Sequence, residues 1–349
     1  GDSVDIDGNY AVVGAPQCDL DGAVSGRAYV FEFDGFDWAL ISVLSDGSVG
    51  DKFGTSVDIT DTYVAIGKPG ANSGGGGVEI YDISTGFGGT EVRWIETLHP
   101  PRSRFGGQFG TSVDGDGTVL AAGAPLDIGL VVVFHRESGG TYTTESLISP
   151  PTDLQNIYSR FGSSVAVSGD NLLVGSPWPE ASSSESPGAV VYQRNSDATW
   201  SEHTMLDTGS AGYHSQFGSA VALRDDIAIV GSRGDNPAGN ASGSSTIYRY
   251  SPSADTWTIE HELRGWNVQS ADYYGTSVAA CARGVSVGCP RWNFFSEDAG
   301  AAFFYTRRHG DGDNEWQHDG REIRPCIPAE QRIANESASS GYASFGRSL

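Results

Sequence analysis

Lysine is almost missing from this chain, with Lys52 and Lys68 the only two. Lys and Arg together number 21 against 44 Asp and Glu, a formal charge of −23. A surface this negative repels phosphate backbones and anionic headgroups, which excludes nucleic acid as a partner. Cysteine is scarce as well: four thiols, Cys18, Cys281, Cys289 and Cys326, cannot staple 349 residues as a disulfide scaffold. No apolar run reaches the ~20 residues that cross a bilayer. The most apolar stretch, 119–134, is interrupted by Pro125 and Asp127, so direct membrane insertion is excluded.

Catalytic signatures are missing too. There is no H-E-x-x-H, no Cys-x-x-Cys, and no G-x-S-x-G at a strand-to-helix elbow. The glycine run Gly74–Gly77 joins two strands and precedes no helix, so it is not a phosphate loop. The seven histidines are scattered. These absences predict a protein that is not an enzyme.

What is abundant is glycine, 48 residues, together with 11 % aromatics. Disordered linkers lack aromatics, so the combination points to an all-β protein rich in tight turns. Self-comparison shows how those residues are used. Phe-Gly or Tyr-Gly recurs at Phe53-Gly54, Phe109-Gly110, Phe161-Gly162, Phe217-Gly218, Tyr274-Gly275 and Phe345-Gly346, and the first copy begins directly at Gly1. A second signature follows, as in Gly14-Ala15-Pro16, Gly67-Lys68-Pro69, Gly123-Ala124-Pro125, Gly175-Ser176-Pro177, Gly231-Ser232-Arg233 and Gly288-Cys289-Pro290. From Gly1 to Gly14, and likewise in the five cassettes after it, the step is 13 residues.

Each block reads as a hairpin, for example 3–6, a turn at Asp7-Gly8-Asn9, then 10–13. The second strand is almost wholly apolar, which suits a strand covered on both faces. A third strand follows (28–31, 78–81, 131–134, 190–192, 246–248, 303–305). The fourth is headed by Trp38, Trp94, Tyr142, Trp200, Trp257 or Trp316 and mixes polar with apolar residues, as an outer edge should. Four antiparallel strands repeated every 50-odd residues predict a β-propeller. Residues 1–349 form one domain of cassettes 1–52, 53–108, 109–160, 161–216, 217–273 and 274–344, and 345–349 open another. A ring of six or of seven blades is compatible with this count. The phenylalanine should fill the wedge between blades, and its glycine should let backbones approach.

The paired signatures resemble the FG-GAP repeat family, best known from the N-terminal propeller of integrin α subunits. The resemblance covers essentially the whole chain and implies an extracellular or cell-surface propeller that binds a protein or glycan partner. Members often carry a calcium loop, D-x-D-x-D-G-x-x-D, between the first two strands. The 13-residue step leaves no room for it, so no cofactor is expected, with Asp19/Asp21 and Asp311/Asp313 the remaining places for weakly held calcium. The sequons at Asn240 and Asn335 fit a secreted glycoprotein, and the chain reads as part of a longer chain or assembly.

Strand alternation puts the second-to-third and fourth-to-next links on one face, where the loops are longest and binding residues usually sit. Trp178, Tyr213, His214, Trp266, Arg291, Trp292, Phe294 and Phe295 fall there and are the candidate partner contacts, against an alternative role capping blade ends. A lectin, or a structural subunit of a surface or filament assembly, are the alternative functions. Arg233-Gly234-Asp235 spells an adhesion tripeptide but occupies a structural slot of the fifth cassette. Cys289 and Cys326 form the candidate disulfide, and Cys18 with Cys326 the alternative.

Overall fold

The invariant step between the two glycines of a cassette is a hydrogen bond. The Gly54 amide donates to the Gly67 carbonyl at 3.0 Å, and Gly110 to Gly123, Gly162 to Gly175 and Gly275 to Gly288 do the same. One residue more or less in the hairpin would break this bond and turn every side chain to the other face. The second constraint comes from the next blade. A Cβ on Gly14 would run into the Gly54 carbonyl oxygen, and one on Gly54, whose φ is +86°, would meet the Arg27 carbonyl. Glycine is required at both places because backbones of neighbouring blades touch there.

In a computed structural model the chain folds into six blades of four antiparallel strands ranged around one axis. The structure describes residues 1–323 except 21–22, 46–47, 87, 102–105, 127, 155–158, 178–187, 208–214, 283, 293–298 and 310–313. Blade 1 comprises Ser3–Asp7, Tyr10–Ala15, Arg27–Phe33 and Trp38–Leu44, and blade 2 Ser56–Ile59, Tyr63–Gly67, Val78–Gly86 and Gly89–Leu98. Blade 3 runs Ser112–Gly115, Val119–Ala124, Leu130–Arg136 and Tyr142–Ile148, and blade 4 Ser164–Ser168, Asn171–Ser176, Gly188–Arg194 and Trp200–Leu206. Blade 5 is Phe217–Arg224, Ile227–Ser232, Ser244–Ser251 and Thr256–Leu263. Blade 6 is Ser277–Cys281, Gly284–Cys289, Ala301–His309 and Asn314–Ile323. No helix among the described residues is long and apolar enough to cross a membrane.

The strands fall where the repeat places them, and several run further than it marks. Blade 2's outer strand begins at Gly89, five residues ahead of Trp94, because Ile83 pairs with Val92 and prolongs the hairpin outward. The spelling Gly284-Val285-Ser286-Val287-Gly288 matches G-x-S-x-G in letters, yet it lies within a strand and forms no elbow.

Packing is between blades. Val12, Ala28 and Val30 of blade 1 meet Val57, Ile59, Val64 and Ile66 of blade 2 in one core, and four further cores repeat the arrangement up to blades 5 and 6. Phe53, Phe109, Phe161, Phe217 and Tyr274 are fully buried in these wedges. Phe109, Phe161 and Phe217 meet Phe134, Tyr192 and Tyr248 of their own blades edge-on at 6.2–6.4 Å. Burying a ring of this size contributes roughly 2–3 kcal/mol. Serine adds a clasp: Ser3, Ser56, Ser112 and Ser164 donate to the carbonyls of Gly54, Gly110, Gly162 and Gly218 in the following blade, at 2.9–3.0 Å. In the fifth cassette that position is Ala220, and the clasp is absent there.

Candidate functional site

The six innermost strands surround an axial cavity of about 660 Å³ lined mainly by Ser, Thr and Asp. Two residues after the motif serine, blades 1 to 3 carry Asp5, Asp58 and Asp114, whereas blades 4 to 6 carry Ala166, Ala222 and Ala279. One half of the wall is therefore acidic and the other apolar. Each acid caps the backbone of the next blade. Asp5 accepts the Ile59 amide at 2.8 Å and Asp114 the Val167 amide at 2.5 Å. Asp58 accepts the Gly115 amide together with the Tyr63 hydroxyl at 2.6 Å.

Burial pushes all three carboxyls above the ordinary carboxylate range, Asp58 and Asp114 the furthest. For Asp58 the neighbouring charges of Asp5 and Asp114 add to that rise, opposed by its hydrogen bonds. The axial acids escaped the sequence reading because Asp in a hairpin is an ordinary turn residue. The signal that could have found them is the Asp, Asp, Asp, Ala, Ala, Ala order at one aligned position.

At the long-loop end, the link after blade 5 brings Trp266 onto Trp292, with ring centres 6.5 Å apart. Trp292 stands edge-on to Phe303 at 5.6 Å, and Phe303 to Tyr274 at 5.4 Å. The stack thus runs from the wedge core to the surface. Trp266 is 55 % exposed and Trp292 1 %. Trp292 was a candidate partner contact, and the structure corrects that: it fills the seam between blades 5 and 6 and supports Trp266 from below. Beside it the exposed Arg291 guanidinium lies 5.2 Å from the centre of the Tyr273 ring. Of the eight candidates the structure gathers Trp266, Arg291 and Trp292. Trp178, Tyr213, His214, Phe294 and Phe295 lie outside the described residues.

The adhesion tripeptide is engaged in a tight turn. Arg233 Nε donates to Gln216 at 2.6 Å, and Asp235 accepts the Ser244 hydroxyl at 2.7 Å and the Asn236 amide at 2.8 Å. Asn240 of the first sequon is exposed, and Asn335 lies outside the described residues. Cys289 is a buried thiol that donates to the Asp272 carbonyl at 3.3 Å, and Cys326, the partner expected for it, lies outside the described residues. Cys18 is a half-buried thiol. Asp19 has its backbone in a two-residue ribbon strand, Asp19–Leu20, while its side chain and Asp21, Asp311 and Asp313 lie outside the description. Among the described residues no group of three or more His, Cys, Asp or Glu is placed to hold a metal ion.

Residues 1–31, 42–80, 156–192 and 200–248 match the FG-GAP repeat. The chain carries FG-GAP repeats. Its FG-GAP blades are similar in fold to a putative 6-phosphogluconolactonase from Bacteroides uniformis, with a TM-score of 0.61 and 11 % identity over 91 % of this chain and 82 % of that one. They are also similar to a protein from Lactobacillus plantarum, with a TM-score of 0.54 and 13 % identity over 90 % and 82 %. At such identities the likeness shows the propeller fold alone. No curated protein sequence matches the chain.

Proposed function

We propose that this FG-GAP propeller is a non-enzymatic interaction module, working outside the cell or at its surface, that engages a protein or glycan partner through the long-loop face. The observation that carries the reading is Trp266, more than half exposed yet held on a buried aromatic stack. A rigid, exposed indole offers a large contact area at little entropic cost, for an interface or for the face of a sugar ring. The axial acids support the same reading, because each is committed to a backbone amide of the neighbouring blade.

The test is a glycan array and a display of secreted proteins probed with the wild-type chain, Trp266→Ala and Trp94→Ala. Trp94 is an exposed indole on the outer strand of blade 2 and serves as the control. Trp266→Ala is expected to weaken binding at least tenfold, a loss of about 1.4 kcal/mol, with Trp94→Ala unchanged. Equal losses from both variants, or turnover of a substrate by a chain that binds nothing, would overturn the reading.

A further inference from the structure

At the end of the ring opposite the long loops, each seam sets one third-strand side chain against another from the next blade. Register fixes the first member as Glu32, Asp82, His135, Gln193 or Arg249, each paired with the first residue of its second strand. The second member stands one position later in the following blade: Ile83, Arg136, Arg194, Tyr250 or Arg307. Asp82 meets Arg136 at 3.4 Å, Glu145 stands between His135 and Arg194, and Gln193 hydrogen-bonds Tyr250. The seam between blades 5 and 6 instead sets arginine against arginine. Arg249 continues the face of Ile247, and Arg307 that of Tyr305, both buried in the core of that seam.

The acids nearby do not satisfy this pair. Arg249 Nη2 holds Asp226 at 3.0 Å and Arg307 Nη2 holds Glu260 at 2.8 Å. Arg249 Nη1 and Arg307 Nε are buried without a hydrogen-bond partner among the described residues. A charged donor orphaned in this way costs more than a neutral one. Both arginines line a cavity of about 420 Å³, together with Arg224, Asp225, Thr306 and Trp316. That volume falls within the ~300–1,000 Å³ of small-molecule sites.

We propose that this cavity binds a small hydroxylated monocarboxylate, a sugar acid of the uronate type. Its carboxylate accepts from Arg249 Nη1 and Arg307 Nε, the planar acceptor that a guanidinium suits best, and so ties blade 5 to blade 6. Asp225 and Thr306 offer oxygens to its hydroxyls. A single charge is favoured because Asp225, Asp226 and a chain of net charge −23 repel dianions. The site lies at the other end of the ring from Trp266, and the partner reading made for that face does not enter the argument.

Titration of the full chain with sodium D-glucuronate tests this, followed by NMR at the Trp316 indole, whose Nε1–H sits on Glu260 beside Arg307. At low salt the indole signal is expected to shift saturably with glucuronate and not with D-glucose. Arg249→Gln gives blade 5 the residue that blade 4 carries at this place, and is expected to weaken binding at least tenfold. Arg307→Lys keeps the charge beside Glu260, removes the Nε donor, and is expected to weaken it likewise. Arg264→Gln, at an exposed arginine near the long loops, leaves binding unchanged. No saturable shift, or full affinity in both cavity variants, would overturn the proposal. So would an equal response to glucose, which means hydroxyls alone, or tighter binding of inorganic phosphate, which means charge alone.

Discussion

At the scale of single residues, two of the blade junctions carry a matching side-chain clasp near the rim. Glu145 of blade 3 accepts the Trp200 indole at 2.7 Å and the Arg194 guanidinium of blade 4. Glu260 of blade 5 takes Trp316 at 3.1 Å and Arg307 at 2.8 Å from blade 6. At the corresponding place in blade 4 stands His203, which turns to Asp255 at 3.0 Å. Among the described residues, Trp257 Nε1 of blade 5 is then buried without a hydrogen-bond partner. An unsatisfied buried donor costs about 1–3 kcal/mol. His203→Glu is therefore expected to stabilise the protein by about 1–2 kcal/mol, raising Tm by roughly 1–3 °C in a calorimetric scan, whereas His203→Gln gains less. No gain for the glutamate variant would remove the clasp from the account. The clue was present in the sequence, three residues after the aromatic heads of blades 3 to 5: Glu145, His203, Glu260. It went unread because a mixed polar strand looks the same whether its charges face water or a neighbouring blade.

At the scale of elements, the innermost strands of blades 1 to 3 concentrate acids whose protonation folding favours. A carboxyl raised by folding contributes stability that is full below its unfolded pKa and is lost as pH rises through the folded value. Asp58 is the clearest case, since burial and two neighbouring carboxylates all raise it. Asp58→Asn keeps an acceptor for the Gly115 amide and the Tyr63 hydroxyl while removing the ionisable proton. Thermal scans are expected to show the variant more stable than the wild type at pH 8, with the difference shrinking towards pH 4. A difference independent of pH would show that ionisation at the axis does not burden the fold. The hairpins themselves were legible, because the 13-residue step, the turn residues and the apolar second strands all demand the same geometry. Side-chain fates were less so. Trp292 and Trp266 look alike as large loop residues, and only the seam between blades 5 and 6 sends one inward and leaves the other out.

For the whole molecule, the repeat predicts sheets that radiate from an axis, and the five wedge cores are what bind them. Blade number was not legible. Six cassettes and the start of another suit either count, and the six four-stranded sheets of the structure are what decide it. The half-buried lysine fits the same logic: Lys68 pairs with Glu79 inside blade 2, leaving Arg for the inter-blade clasps, where its planar fork can meet a carboxylate and leave room for an indole. Because every blade draws its stability from its neighbours, protection should repeat blade by blade. Site-resolved hydrogen exchange on the intact chain measures this directly. The slowest amides are expected in the second and third strands of each of the six blades, with faster exchange in every outer strand. Slow exchange gathered into one or two contiguous blocks of sequence, with the remaining hairpins unprotected, would contradict a fold made of equivalent wedges around a hub.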